Sequence, residues 1–213
     1  ESGIRSELWV YVATDAAVKF SRLLVRNQSG RPRRLSATGY VEWVLGDLGP
    51  KSAMHVTTEV DSYSGALYAR NPYNTEFPDR VAFFDVDDGN RTLTCDRAEF
   101  IGRNGGLANP AALGRTHLSG RLGSGLDPCA ALQVGFNLDD GQEREIVFRL
   151  GVGGIPGGEG GNSDANRLVH RFRGNDAARR ALEEVWHFWN HSLGAVQVET
   201  PDESLNVLTN GWL

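Results

Sequence analysis

Two cysteines and a single methionine stand in 213 residues, and no apolar run approaches the roughly 20 residues a membrane helix needs. Cys95 and Cys129 are too few for a disulfide framework and lack metal-ligand spacing, so two free thiols in a reducing compartment are expected. The first residues, ESGIRSELWVYV, carry no signal-peptide pattern, and the sequons at Asn27, Asn90 and Asn190 are read as chance. Excess positive charge is missing too. With a net charge of -5 and arginines scattered along the chain, a nucleic-acid footprint is not expected. The densest group, Arg31, Arg33 and Arg34, is broken by Pro32 and reads as a solvated turn. No nucleophile-elbow sequence GxSxG, no HExxH and no Gly-Lys-Ser/Thr ending occurs.

What is present is period-two patterning over the first 150 residues. Leu35, Ala37, Gly39, Val41, Trp43 and Leu45 alternate with Ser36, Thr38, Tyr40 and Glu42; Ala130, Leu132, Val134, Phe136 and Leu138 do the same. Alternation of this kind places one face on a core. Turn signals at 27–32, 87–90 and 139–141 separate the runs. Strands are expected at 6–14, 17–27, 33–46, 52–61, 65–70, 79–87, 91–95, 129–139 and 142–150, with a short helical turn at 108–113 begun by Pro110. The fold class is mainly β: an antiparallel sandwich over 1–150.

The character changes at Gly151. A glycine-rich stretch, GVGGIPGGEGGN, opens a linker over 151–199. Asn162 or Ser163 is expected to cap a helix through Arg171, and Asn175 a longer one ended by Gly194. Ala178, Ala181, Leu182, Val185, Trp189 and Leu193 form the stripe expected to be buried. Thr200, Pro201 and Glu203 read as N-cap, first residue and capping-box partner of a third helix over 200–213. Both ends run into apolar patterns, so the chain is expected to be a stretch of something longer.

Few residues suggest chemistry. The glycine stretch breaks the GxGxxG register at Pro156 and reads as a surface loop. His187 and His191 have the spacing for one metal, but no third ligand is apparent, so a solvated face is expected and no metal site. Most carboxylates sit in turns or first helical turns; Glu42 and Glu59 on strands find no evident acid/base partner. The most unusual segment is ARNPYNTEF, 69–77, where Arg70, Asn71, Tyr73 and Asn74 combine planar hydrogen-bonding groups with an aromatic face. A sugar-binding surface uses both, for hydroxyl pairs and for the flat face of the ring.

The phrases SGRPRRLSATGYVEWVLGD, GALYARNPYNTEFPDRVAFFDV, EFIGRNGGLANPAAL, GLDPCAALQV, GQEREIVFRLG and GAVQVETPDESLNVLTNGWL occur in this order. Together they resemble glycoside hydrolase family 94 (glycosyltransferase 36 type), and within it the cyclic β-1,2-glucan synthases and related carbohydrate phosphorylases. The resemblance implies a β-supersandwich similar to the galactose mutarotase-like fold. A helical linker would join it to an (α/α)6-barrel, whose first helix would be 200–213. It places the general acid and the phosphate site in that barrel, so no catalytic residue carries over and the chain by itself is expected to be inactive. The implied parent reaction is inverting phosphorolysis of a β-glucosidic bond, with inorganic phosphate as co-substrate and no cofactor. Substrate contacts implied for this stretch are His55, Arg70, Asn71 and Arg103; His55 falls where related disaccharide phosphorylases carry an arginine. The implied partners are a β-glucan oligosaccharide, the chain's own barrel and a second copy in a homodimer. Neither nucleic acid nor direct membrane contact is implied, and the setting is cytoplasmic. The alternatives are a fragment of a free-standing cellobiose- or chitobiose-type phosphorylase and an independent carbohydrate-binding module.

Overall fold

A computed structural model of the chain describes residues 3–155, 164–194 and 197–212. Its period-two runs form two antiparallel sheets. Six strands make the larger one: β1 (Ile4–Val12), β2 (Val18–Asn27), β4 (Thr57–Val60), β5 (Leu67–Arg70), β6 (Arg80–Val86) and β9 (Glu143–Gly154), in the order β1-β2-β9-β6-β5-β4. The smaller has the order β3-β8-β7, from β3 (Arg33–Glu42), β7 (Thr92–Asp96) and β8 (Pro128–Leu138). The alternating residues expected to face a core do so. Ala130, Leu132, Val134, Phe136 and Leu138 meet Leu67, Ala69, Ala82, Phe84, Val86, Ile146 and Phe148 of the larger sheet. Gly39 lets the layers close: a Cβ there would lie 2.5 Å from Phe148 and 2.7 Å from Phe84.

The other face of the larger sheet carries α3 (Ala165–Arg171) and α4 (Asn175–Leu193). Val18, Phe20, Tyr68, Phe83 and Val147 pack there on Leu168, Val169, Phe172, Ala178 and Ala181. Arg149 lies fully buried in this layer, its register partner across the strands being Asp85. Its Nη2 donates to Asp85 Oδ2 at 2.7 Å and to Asp87 Oδ1, and its Nη1 donates to the Phe172 carbonyl at 2.6 Å. The Gly174 N–H donates to Asp87 Oδ2 at 2.5 Å, and Arg173 Nε lies 3.2 Å from Asp87 Oδ1. This cluster satisfies orphan backbone groups where α3 ends and α4 begins.

Several local expectations are corrected. The strand expected over 52–61 is strand only in β4; before it come α1 (Gly49–Ser52), with Pro50 in its first turn, and a 3₁₀ turn at Ala53–His55. Proline presets helical φ, and Ser52 Oγ donates to the Leu48 carbonyl at 3.0 Å, which fixes that turn. An unexpected helix, α2 (Arg97–Ile101), follows β7, capped by Asp96, whose Oδ1 accepts from the Ala98 and Glu99 N–H groups. The turn near 108–113 is a 3₁₀ helix at Ala111–Gly114, with Pro110 just outside it. Asp164, not the preceding residues, caps α3; Asn162, Ser163 and most of the glycine-rich stretch lie outside the described residues. In α4 the cap position belongs to Gly174 rather than Asn175, and Asp87 supplies its partner. The last helix, α5 (Glu203–Trp212), is capped by Asp202, which accepts from the Ser204 N–H at 2.9 Å; Thr200 Oγ1 bonds Asn206 Oδ1 instead.

The stripe of α4 is buried only in its first half. Ala178 and Ala181 are sealed, whereas Trp189 and Leu193 are 51% and 56% exposed. Nineteen residues rise about 28 Å, and the helix runs past β1, the edge strand, where Trp186 meets Trp9 edge-on at 6.2 Å.

Candidate functional site

The expected sugar-contact segment forms a ridge. After β3 the chain turns at Leu45, whose φ of +42° is the one non-glycine positive value among the described residues. A leucine adopts that conformation only where its surroundings impose it. Its carbonyl accepts from Asn71 Nδ2 at 3.0 Å and Asn74 Nδ2 at 3.4 Å, which ties the 71–77 loop to the turn. Each amide also organises its own loop: Asn71 Oδ1 accepts from the Tyr73 N–H, and Asn74 Oδ1 from those of Glu76 and Phe77. Both asparagines are therefore partly spent on structure, and each has one side-chain N–H without a partner among the described residues.

On one flank of the ridge lies a hollow of about 350 Å³ lined by Asp47, Lys51, His55, Asn71, Tyr73 and Glu76, among others. His55 packs on the exposed Tyr73 ring with centroids 4.5 Å apart. The Asp47 carboxyl is held below the usual carboxylate range by the Leu48 N–H and the Lys51 ammonium. Of the four expected contacts, the structure brings His55 and Asn71 together here. Arg70, exposed at the end of β5, and Arg103, exposed just after α2, line neither this hollow nor the larger cleft on the ridge's other flank. Asp47 and Lys51 were not singled out from the sequence. Pro50, which lies between them, signals a helix start, but nothing local indicates a fold-back onto residues 71–76.

The strand carboxylates do not make an acid/base pair. Glu42 accepts from Arg97 Nε and from the Tyr40 hydroxyl, both at 2.8 Å, and these bonds, Arg97's first, hold its carboxyl low. Glu59 is exposed on β4. Glu42, Asp47, Asp61 and Glu145 are all held low, opposite to what a general acid requires. His187 and His191 are exposed on α4, and no group of three candidate metal ligands occurs among the described residues. Cys95 and Cys129 are free and buried; burial pushes the Cys95 thiol up to about 11 and the Cys129 thiol higher still, so neither is a reactive thiolate. Asn27 is fully buried and donates to the Arg31 and Leu138 carbonyls, which removes that sequon from use. No helix among the described residues is long and apolar enough to cross a membrane.

Comparison with known proteins places this architecture. The chain is 38% identical over 196 residues to the cyclic beta-(1,2)-glucan synthase NdvB of Rhizobium meliloti (strain 1021), covering 92% of the chain and 7% of the synthase. It is 28% identical over 219 residues to the cellobionic acid phosphorylase of Neurospora crassa, covering 99% of the chain and 26% of the enzyme. With the N,N'-diacetylchitobiose phosphorylase of Vibrio furnissii it shares 26% identity over 200 residues, 88% of the chain and 23% of that protein. The chain thus spans a small part of each relative. Residues 1–175 match the family described as glycosyl hydrolase 94, supersandwich domain. With its two antiparallel sheets and the helices that follow them, the chain belongs to the supersandwich family of glycosyl hydrolase 94.

Proposed function

We propose that this chain is the non-catalytic supersandwich portion of an enzyme that makes or phosphorolyses β-1,2-glucans. The observation that carries this reading is its alignment with the glucan synthase over 92% of its length, at higher identity than with the two phosphorylases. The site chemistry supports it: the carboxylates with displaced titration are all held low and bound to cations or backbone amides. In this reading α3 and α4 carry the sandwich to a catalytic barrel of which α5 is the first helix, and the ridge of His55, Asn71 and Tyr73 faces the oligosaccharide, with Arg70 and Arg103 as outlying contacts. The parent enzyme uses inorganic phosphate and no cofactor, works on the cytoplasmic side of the membrane and pairs through its sandwich as a homodimer.

The test is glucose 1-phosphate release from β-1,2-gluco-oligosaccharides and phosphate. This chain is compared with the same chain continued through the segment that follows it in the relatives. Activity in the longer protein only is the expected result. Activity in the chain alone would overturn the assignment of the chemistry to another unit, and inactivity of both would overturn the substrate.

A further inference from the structure

The ridge has a second flank, and there the structure holds a cavity of about 1010 Å³. That volume is at the upper end of the range for small-molecule sites. Its floor is apolar and built from small side chains: Ala16 and Ala17 after β1, Ala69 of β5 and Ala82 of β6, closed by Val152 and Leu168. Its rim is polar. Asn71 and Asn74 line it as well as the smaller hollow. Asp15 and Arg171, joined at 2.5 Å, form the opposite wall. Arg80 and Glu76 line it, and neither side chain has a hydrogen-bond or ion-pair partner among the described residues. Phe77, 59% exposed, stands beside them with its ring in solvent.

We infer that this cleft is a second carbohydrate site, one that holds a short stretch of neutral β-glucan on the sandwich itself. The inference rests on the β-glucan reading above and adds a location for the chain. The amides of Asn71 and Asn74, the guanidinium of Arg80 and the carboxylate of Glu76 share this lining, and donors beside an acceptor are what vicinal hydroxyls pair with. Ala17, Val152 and Phe77, all exposed in the lining, offer apolar surface to the C–H face of a sugar ring. Three carboxylates and two guanidiniums in the lining leave the cleft near neutrality, which favours an uncharged glycan over a sugar phosphate, whose dianion would meet Asp15, Asp47 and Glu76. Positive φ at Leu45 is part of the same construction, because its carbonyl aims both asparagines along the rim.

The experiment is a calorimetric titration of this chain with short β-1,2-linked gluco-oligosaccharides, with glucose 1-phosphate titrated in parallel. Arg80→Ala and Phe77→Ala, both at exposed positions where folding is not at stake, are each expected to weaken oligosaccharide binding roughly tenfold. Arg26→Ala, on the far end of β2, leaves it unchanged. Binding unaffected by either cleft variant would overturn the location, and preference for glucose 1-phosphate would overturn the ligand class. Absence of glucan binding while the longer protein releases glucose 1-phosphate would sink this inference and leave the functional reading standing.

Discussion

Toward β3, β8 and β7 the large sheet presents an apolar face with uncharged Asn27 and Thr58 buried at its margins; toward α3 and α4 it presents apolar side chains interrupted by the charged pair Asp85 and Arg149. The difference follows from what covers each face. A sheet arrives with its backbone already paired along the strands, so the sandwich interior needs nothing but shape and apolar surface. Helices arrive with unpaired groups at their ends. Where α3 stops and α4 starts directly over the sheet, the Phe172 carbonyl and the Gly174 N–H need partners, and Arg149 and Asp87 provide them. The buried charge is therefore a device for seating helix termini, and its neighbours Arg173 and Arg91 complete the neutralisation of Asp85 and Asp87. Beside α4 on the same face, Glu145 accepts from Arg22 and Arg179, and the Tyr11 hydroxyl donates to the Ala178 carbonyl at 2.6 Å.

This contrast can be broken by substitution. Arg149→Met is expected to cost the most, about 3–5 kcal/mol, because it leaves Asp85 and Asp87 without their buried counter-ion. Urea denaturation measures it, and the decisive companion is Arg149→Met with Asp85→Leu, which should recover most of the loss. If the double variant is no better than the single one, the charges do more than neutralise one another. On the opposite face, Leu132→Ala is expected to cost about 2–5 kcal/mol through a cavity between the sheets, and no second substitution in the charge cluster should change that figure. Coupling between the two would show that the faces are not independent.

Glu145→Gln comes next, at about 1.5–3 kcal/mol near neutral pH. Burial alone would push this carboxyl up, but the bonds from Arg22 and Arg179 outweigh it and hold the carboxyl low. A carboxyl lowered on folding contributes fully above its unfolded value of about 4.3 and loses that contribution as pH falls through the folded value. The gap between parent and variant should therefore shrink in acid; a gap that stays constant with pH would contradict the assignment. Smallest of all, Trp189→Ala should change stability by less than about 0.5 kcal/mol, since its ring packs on Phe188 and otherwise faces solvent. A large loss on thermal denaturation would mean that the end of α4 is covered in solution.

How far the residues foretell this depends on the range of the interaction. Strand alternation, the hairpin turns and the first half of α4 follow from period and turn chemistry, which act within a few residues. Short capping signals stand between the expected strands: Asp96 with Glu99 begins a helix just after the strand expected at 91–95, and Pro50 begins another between those expected at 33–46 and 52–61. Trp189 and Leu193 fit the apolar stripe of α4 as well as Ala178 does, because periodicity reports which face a residue shares and not whether a sheet lies beneath it. In the ridge, the chemistry of Asn71, Asn74 and Tyr73 was readable as residue types. Their meeting with Leu45, Asp47 and Lys51 was not, since it depends on a chain reversal closed by a carbonyl some 26 residues away.

The amino-acid order by itself therefore determined a β-sandwich followed by helices, its family likeness and the polar-aromatic character of residues 69–77, all of which reside in local pattern. Tertiary structure alone decided that Arg149 is buried while Arg70 and Arg103 stay apart, and that one ridge divides a small hollow from a large cleft. Those outcomes depend on strand register and on which helix ends land over the sheet, and both are settled only when distant segments pack.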